Sequence, residues 1–150
     1  MPPPNREKST SQVGEKPLAL HLPPNGDTLE ILRVDKREGL VEVGVIFTKP
    51  KGRGSHSTNV LIEPYNDEKD GPVDQAMSGL YAEDASKKSV ETTDWGALGT
   101  VKAEDRFDIL LIDRKSGLRC LAGVIFQPWM DTGEATSVLT TICESLRLDP

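Results

Sequence analysis

From Pro17 onward, apolar and polar positions alternate in short runs that turn chemistry keeps interrupting. Leu18-Ala19-Leu20-His21-Leu22 alternates weakly and ends at Pro23-Pro24-Asn25-Gly26, where two prolines and an Asn-Gly pair favour a turn. Thr28–Val34 predicts a strand, Asp35–Gly39 a turn and Leu40–Phe47 a β-branched strand. A loop with glycines and basic residues, Lys49–Ser57, precedes a strand over Asn59–Tyr65 and an acidic turn up to Gly71. Pro72 then suits the first position of a helix, where its missing N–H costs nothing, with Asp70 or Gly71 as cap. Val73, Ala76, Met77 and Leu80 recur at helical spacing, which makes them its buried stripe. Lys87 and Lys88 complement the negative end of that helix.

The second half repeats the style. Val90–Val101 predicts one strand, ragged around Asp94-Trp95-Gly96, followed by a strand over Arg106–Ile112, a turn at Asp113–Gly117 and a strand over Leu118–Phe126. A closing helix spans about Glu134–Leu146, with Asp131 as N-cap and Glu134 three residues on. Its apolar face is Ala135, Val138, Leu139, Ile142 and Leu146. Residues 1–16 open on three consecutive prolines and hold almost nothing to bury. They predict a disordered tail ahead of one α+β domain over 17–150, an antiparallel sheet with two helices packed on it.

One segment echoes another. Leu29–Leu40 resembles Phe107–Leu118 at an offset of 78, and Gly44–Phe47 matches Gly123–Phe126 at 79. Both read as hairpins around an Asp-basic-basic-x-Gly turn in which glycine supplies a positive φ. The extra residue between Leu118 and Gly123 would reverse every later side chain, so a bulge is expected there.

Composition bounds the function more than it reveals it. The chain has 150 residues with 18 Lys+Arg against 24 Asp+Glu, a net charge of −6. That balance argues against broad contact with nucleic acid or an anionic membrane. No apolar run reaches the roughly 18 residues of a membrane span, and the first sixteen residues contain no signal-like apolar core, which makes a cytoplasmic location the expectation.

Candidate chemistry is sparse. His21 and His56 lie far apart and neither has metal-ligand spacing to Cys, Asp or Glu, so no metal and no cofactor are expected. Cys120 and Cys143 read as small core hydrophobes. The loop with Lys49, Lys51 and Arg53 could contact an anion, although it lacks phosphate-loop spacing. Ser55 and His56 are adjacent, a poor geometry for a nucleophile and its base. Asp67 and Glu68 precede the first helical turn, so the helix dipole does not account for them, and a basic partner could dock there. Trp95 and Trp129 sit at element ends, as core lids or as interface anchors.

The element order, together with Leu18–Pro23 as an opening L-x-L-P strand, Asn59–Pro64 before the first helix and ICESLRL at 142–148, resembles the PsbP-like and DcrB-like family. The resemblance spans about residues 17–148. It implies an α/β/α sandwich and a non-catalytic scaffold that binds partners. The signal or lipid-attachment cysteine of the family's lumenal and envelope members has no counterpart in the sequence. The expected function is therefore a protein-binding adaptor or assembly factor with a protein partner. The alternatives are a bacterial effector chaperone or immunity protein, and a small-ligand or anion-binding protein.

Overall fold

The computed structural model describes residues 8–147 apart from 14, 15, 25, 27, 28, 38, 39, 50, 52 and 53. A two-stranded hairpin comes first, β1 (Lys8–Val13) with β2 (Lys16–His21). Seven strands then form one antiparallel sheet: β3 (Leu29–Arg37), β4 (Leu40–Thr48), β5 (Ser55–Pro64), β6 (Lys88–Thr93), β7 (Gly96–Lys102), β8 (Arg106–Asp113) and β9 (Leu118–Ile125). Their order is β3-β4-β5-β9-β8-β7-β6. After β5 the chain passes through α1 (Asp67–Asp70) and α2 (Val73–Ser78) to the far edge, then meanders back until β9 pairs with β5. Helix α3 (Thr132–Glu144) closes the fold and runs into a 3₁₀ turn at Ser145–Arg147. The class is α+β.

Strand alternation divides the interior between two faces. On β8, Ile109 and Leu111 join the larger cluster with Ala135, Val138, Leu139 and Ile142 of α3. Leu110 and Ile112 point the other way, into a second cluster with Val73, Met77 and Leu80 from α2 and its C-terminal flank. Close approach of α2 to β7 depends on Gly99, where a Cβ would lie 2.7 Å from Met77 Sδ and 3.1 Å from Leu80 Cδ2. Leu20, Val41, Val43, Val60 and Ile62 belong to the larger cluster as well.

Several expectations need correction. Lys8–Val13, within the predicted tail, is a strand, because its backbone has Lys16–His21 to pair with. Residues 1–7 lie outside the described residues. The ragged strand at 90–101 is two strands, folded at Asp94-Trp95 so that Thr93 faces Gly96. The loop expected over 49–57 ends at Gly54, since Ser55-His56-Ser57 continues the β4 ladder. Helix α2 stops at Ser78 because Gly79 caps it, while Asp67–Asp70, expected as a turn, forms the single helical turn α1.

Both echoing segments are hairpins, but the expected bulge is misplaced. The β8–β9 ladder is regular from Arg106↔Ile125 to Asp113↔Leu118, and the irregularity falls in β3 between Ile31 and Arg33. The two hairpins instead pair in different registers: Asp35 pairs with Glu42 inside its ladder, whereas Asp113 ends its ladder opposite Leu118. Asp113 Oδ2 accepts the Ser116 N–H at 3.0 Å and Gly117 takes φ 69, the glycine-dependent turn that the sequence predicts.

The cysteines are also corrected. Cys120 on β9 and Cys143 on α3 form a disulfide across the larger cluster, with Cα atoms 5.3 Å apart. Sequence spacing alone could not show that α3 crosses β9 at this pair.

Candidate functional site

The predicted acidic site is occupied largely by local contacts. Asn66 caps α1 by accepting the Glu68 N–H on Oδ1 at 2.8 Å, and Asp70 Oδ2 accepts the Asn66 N–H at 2.9 Å. Asp67 lies 3.9 Å from Arg114 Nη2, with both side chains about half exposed, a pairing worth at most about 1 kcal/mol. Glu68 is exposed. Beside this turn Tyr65 is buried, and its hydroxyl donates to the Gly71 carbonyl at 2.5 Å. Burial first, then the negative charge of Asp67, raises the Tyr65 phenol above its ordinary value.

The two tryptophans sit at opposite ends of the sheet. Trp95, in the β6–β7 turn, packs on the larger cluster and carries the Arg147 guanidinium 3.9 Å from its ring centre. Its carbonyl accepts the Arg114 N–H at 2.8 Å, so Trp95, Arg114 and Asp67 share one end. Trp129 packs on the same cluster from the β9–α3 connection. Both are half-buried, which fits lids better than free anchors. Lys49 and Lys51 are exposed at the β4–β5 hairpin tip, where the Lys49 N–H donates to the Gly54 carbonyl at 2.9 Å. Arg53 lies outside the described residues. Ser55 and His56 are consecutive strand positions, so their side chains leave opposite faces. Among the described residues, no three His, Cys, Asp or Glu side chains converge as metal ligands, and no helix is long and apolar enough to cross a membrane.

The feature that these expectations miss is the uncovered part of the sheet on the α2 side. Helix α2 contacts β7, and its cluster takes in β8 and, at one end of the sheet, Tyr65 just after β5. Beyond it, β9 turns Leu121 and Ile125 outward, 43% and 63% exposed. Leu121 lies opposite Leu110 on one side and Leu61 of β5 on the other. Two ion pairs frame this strip. Arg119 binds Glu63 Oε1 through Nη2 at 2.5 Å and through Nε at 2.6 Å. Arg106 binds Asp108 Oδ2 through Nη2 and through Nε at 2.6 Å.

The sequence did carry a signal for this surface. The unbroken run Leu121–Phe126 has the composition of a strand buried on both faces. On β8 the same pattern is fulfilled, with a helix over each face. On β9 only Leu118, Cys120, Ala122 and Val124 are covered. Comparison with family models, curated proteins and solved structures finds no match.

Proposed function

We propose that this chain is a non-catalytic protein-binding domain, an adaptor or assembly factor, and that its partner covers the open part of the α2 face. The observation carrying this is Leu121 and Ile125, exposed on a strand whose other face is fully packed. Apolar side chains ringed by ordered charges are the anatomy of a binding patch: a dry centre and a polar rim. The Arg119–Glu63 and Arg106–Asp108 pairs are already formed, so the rim is preorganised and loses little freedom on association. The fitting partner presents an apolar ridge with hydrogen-bonding groups on both sides.

Helices α3 and α2 on opposite faces support a reading as the two outer layers of a PsbP-like α/β/α sandwich, in keeping with a partner-binding scaffold. The Cys120–Cys143 disulfide favours an oxidising compartment over the cytoplasmic expectation, because such bonds persist where thiols are not kept reduced. A second reading rests on a cleft of about 460 Å³ between α3 and the β7–β8 turn. Lys102, Thr132, Thr136 and Thr140 line it and suit an anion or a polyol.

Affinity capture from native extract tests the main reading, with the wild type beside a Leu121→Asp/Ile125→Asp variant of equal melting temperature. A protein retained by the wild type and lost by the variant is the expected result. The same proteins retained by both would reject the surface. A melting shift with inorganic phosphate, abolished by Lys102→Ala, would favour the cleft instead.

A further inference from the structure

The sheet ends in two edges, and they are built differently. Strand β3 is bulged between Ile31 and Arg33, and its sequence LEILRVDKR has five charged residues in nine. Bulges and charges are how edges resist pairing with another chain. Strand β6, KSVETT, is unbulged against β7, contains no proline, and is charged only at Lys88 and Glu91. Every residue from Ser89 to Thr92 is exposed. Among the described residues nothing pairs with its outer side, where every second residue turns its N–H and C=O outward.

We propose that β6 is a self-association edge, pairing antiparallel with β6 of a second copy across a two-fold axis at Val90. Such an axis stands normal to the sheet and preserves its faces, so only residues of the same face can oppose each other. Three registers meet that condition with appreciable overlap. An axis at Glu91 sets two glutamates directly opposite, which is destabilising. An axis at Ser89 leaves half of the strand unpaired. An axis at Val90 pairs Lys88 with Thr92, Ser89 with Glu91 and Val90 with its own copy, with no like charges opposed.

Val90 suits that position. It is 45% exposed, and its neighbour within the chain is Gly99, which offers no side chain to cover it. A second Val90 supplies the missing cross-strand β-branched partner. The joined sheet would leave Leu121 and Ile125 free, so this contact is independent of the surface proposed above. With five residues paired per copy, the interface lies below the roughly 1,000 Å² of stable complexes and the dimer is weak.

Sedimentation velocity of the whole chain, from about 10 µM to about 1 mM, tests this. The expected result is a mass rising with concentration from 16.4 kDa toward a dimer. Val90→Lys, which puts two lysines on the axis, and Thr92→Lys, which faces Lys88 of the other copy, should each hold the protein monomeric with its melting temperature unchanged. Val90→Cys should give a covalent dimer with a short bis-maleimide, and Glu104→Cys should not. A wild type that stays monomeric throughout would overturn the proposal. So would a dimer that survives both lysine variants, or equal cross-linking from positions 90 and 104.

Discussion

Asp131 anchors the start of α3 with one side chain: its Oδ1 accepts the Glu134 N–H at 3.0 Å. This cap was readable, because an Asp three residues before a Glu and ahead of an apolar stripe is a local pattern that needs no tertiary information. Asp131→Ala should cost about 1 kcal/mol in urea unfolding, and Asp131→Asn much less. Tyr65 is the residue whose titration should be visible. Its folded pKa is raised above the ordinary value of 10.0, so the folded state holds the phenol proton more tightly than the unfolded chain. Stability from this source is fully present below pH 10.0 and declines as pH rises through the folded value. Unfolding measured from pH 8 to pH 11 should show that decline in the wild type and a shallower one in Tyr65→Phe. Tyr65→Phe should also be less stable at pH 8, since it loses the bond to Gly71.

Elements whose signals are local were legible, and elements defined by distant contacts were not. The helix stripe Val73 and Met77 and the turn at Asp113–Gly117 were both readable within a few residues. The division of 88–102 into β6 and β7 was obscured because Thr, Trp and Gly near 92–96 read as strand and turn at once. The disulfide needed the crossing of α3 over β9, which follows only from packing. Closing the loop between Cys120 and Cys143, 23 residues apart, should contribute about 3 kcal/mol. Thiol titration of the unfolded, unreduced protein should therefore find no free thiol at these two positions. The Cys120→Ser/Cys143→Ser variant should unfold at lower denaturant by that amount. Equal stability of the wild type with and without reductant would contradict the bond's place in the core.

At the scale of the whole molecule, the N-terminal hairpin and the open sheet face depart furthest from what the sequence predicts. Composition made residues 1–16 look dispensable, yet β1 lies against β3, β4 and β5 through the hairpin it forms with β2. A chain beginning at Pro17 should melt several degrees lower, since about 1 kcal/mol corresponds to roughly 2–4 °C at this size. An unchanged melting temperature would show that β1 adds nothing to the core. The candidate site was only half legible. The acidic turn and the tryptophans stood out by residue type, and the structure gives most of them local partners. Leu121 and Ile125 were hidden inside a run that read as core.

A photo-cross-linking residue in place of Ile125 tests most directly whether a protein partner covers Leu121 and Ile125. In native extract, position 125 should give a discrete adduct of one protein, and adding Leu121→Asp to the same chain should abolish it. The same residue at exposed Glu104 should give none. No adduct from position 125, or equal adducts from 125 and 104, would rule out a partner on this surface.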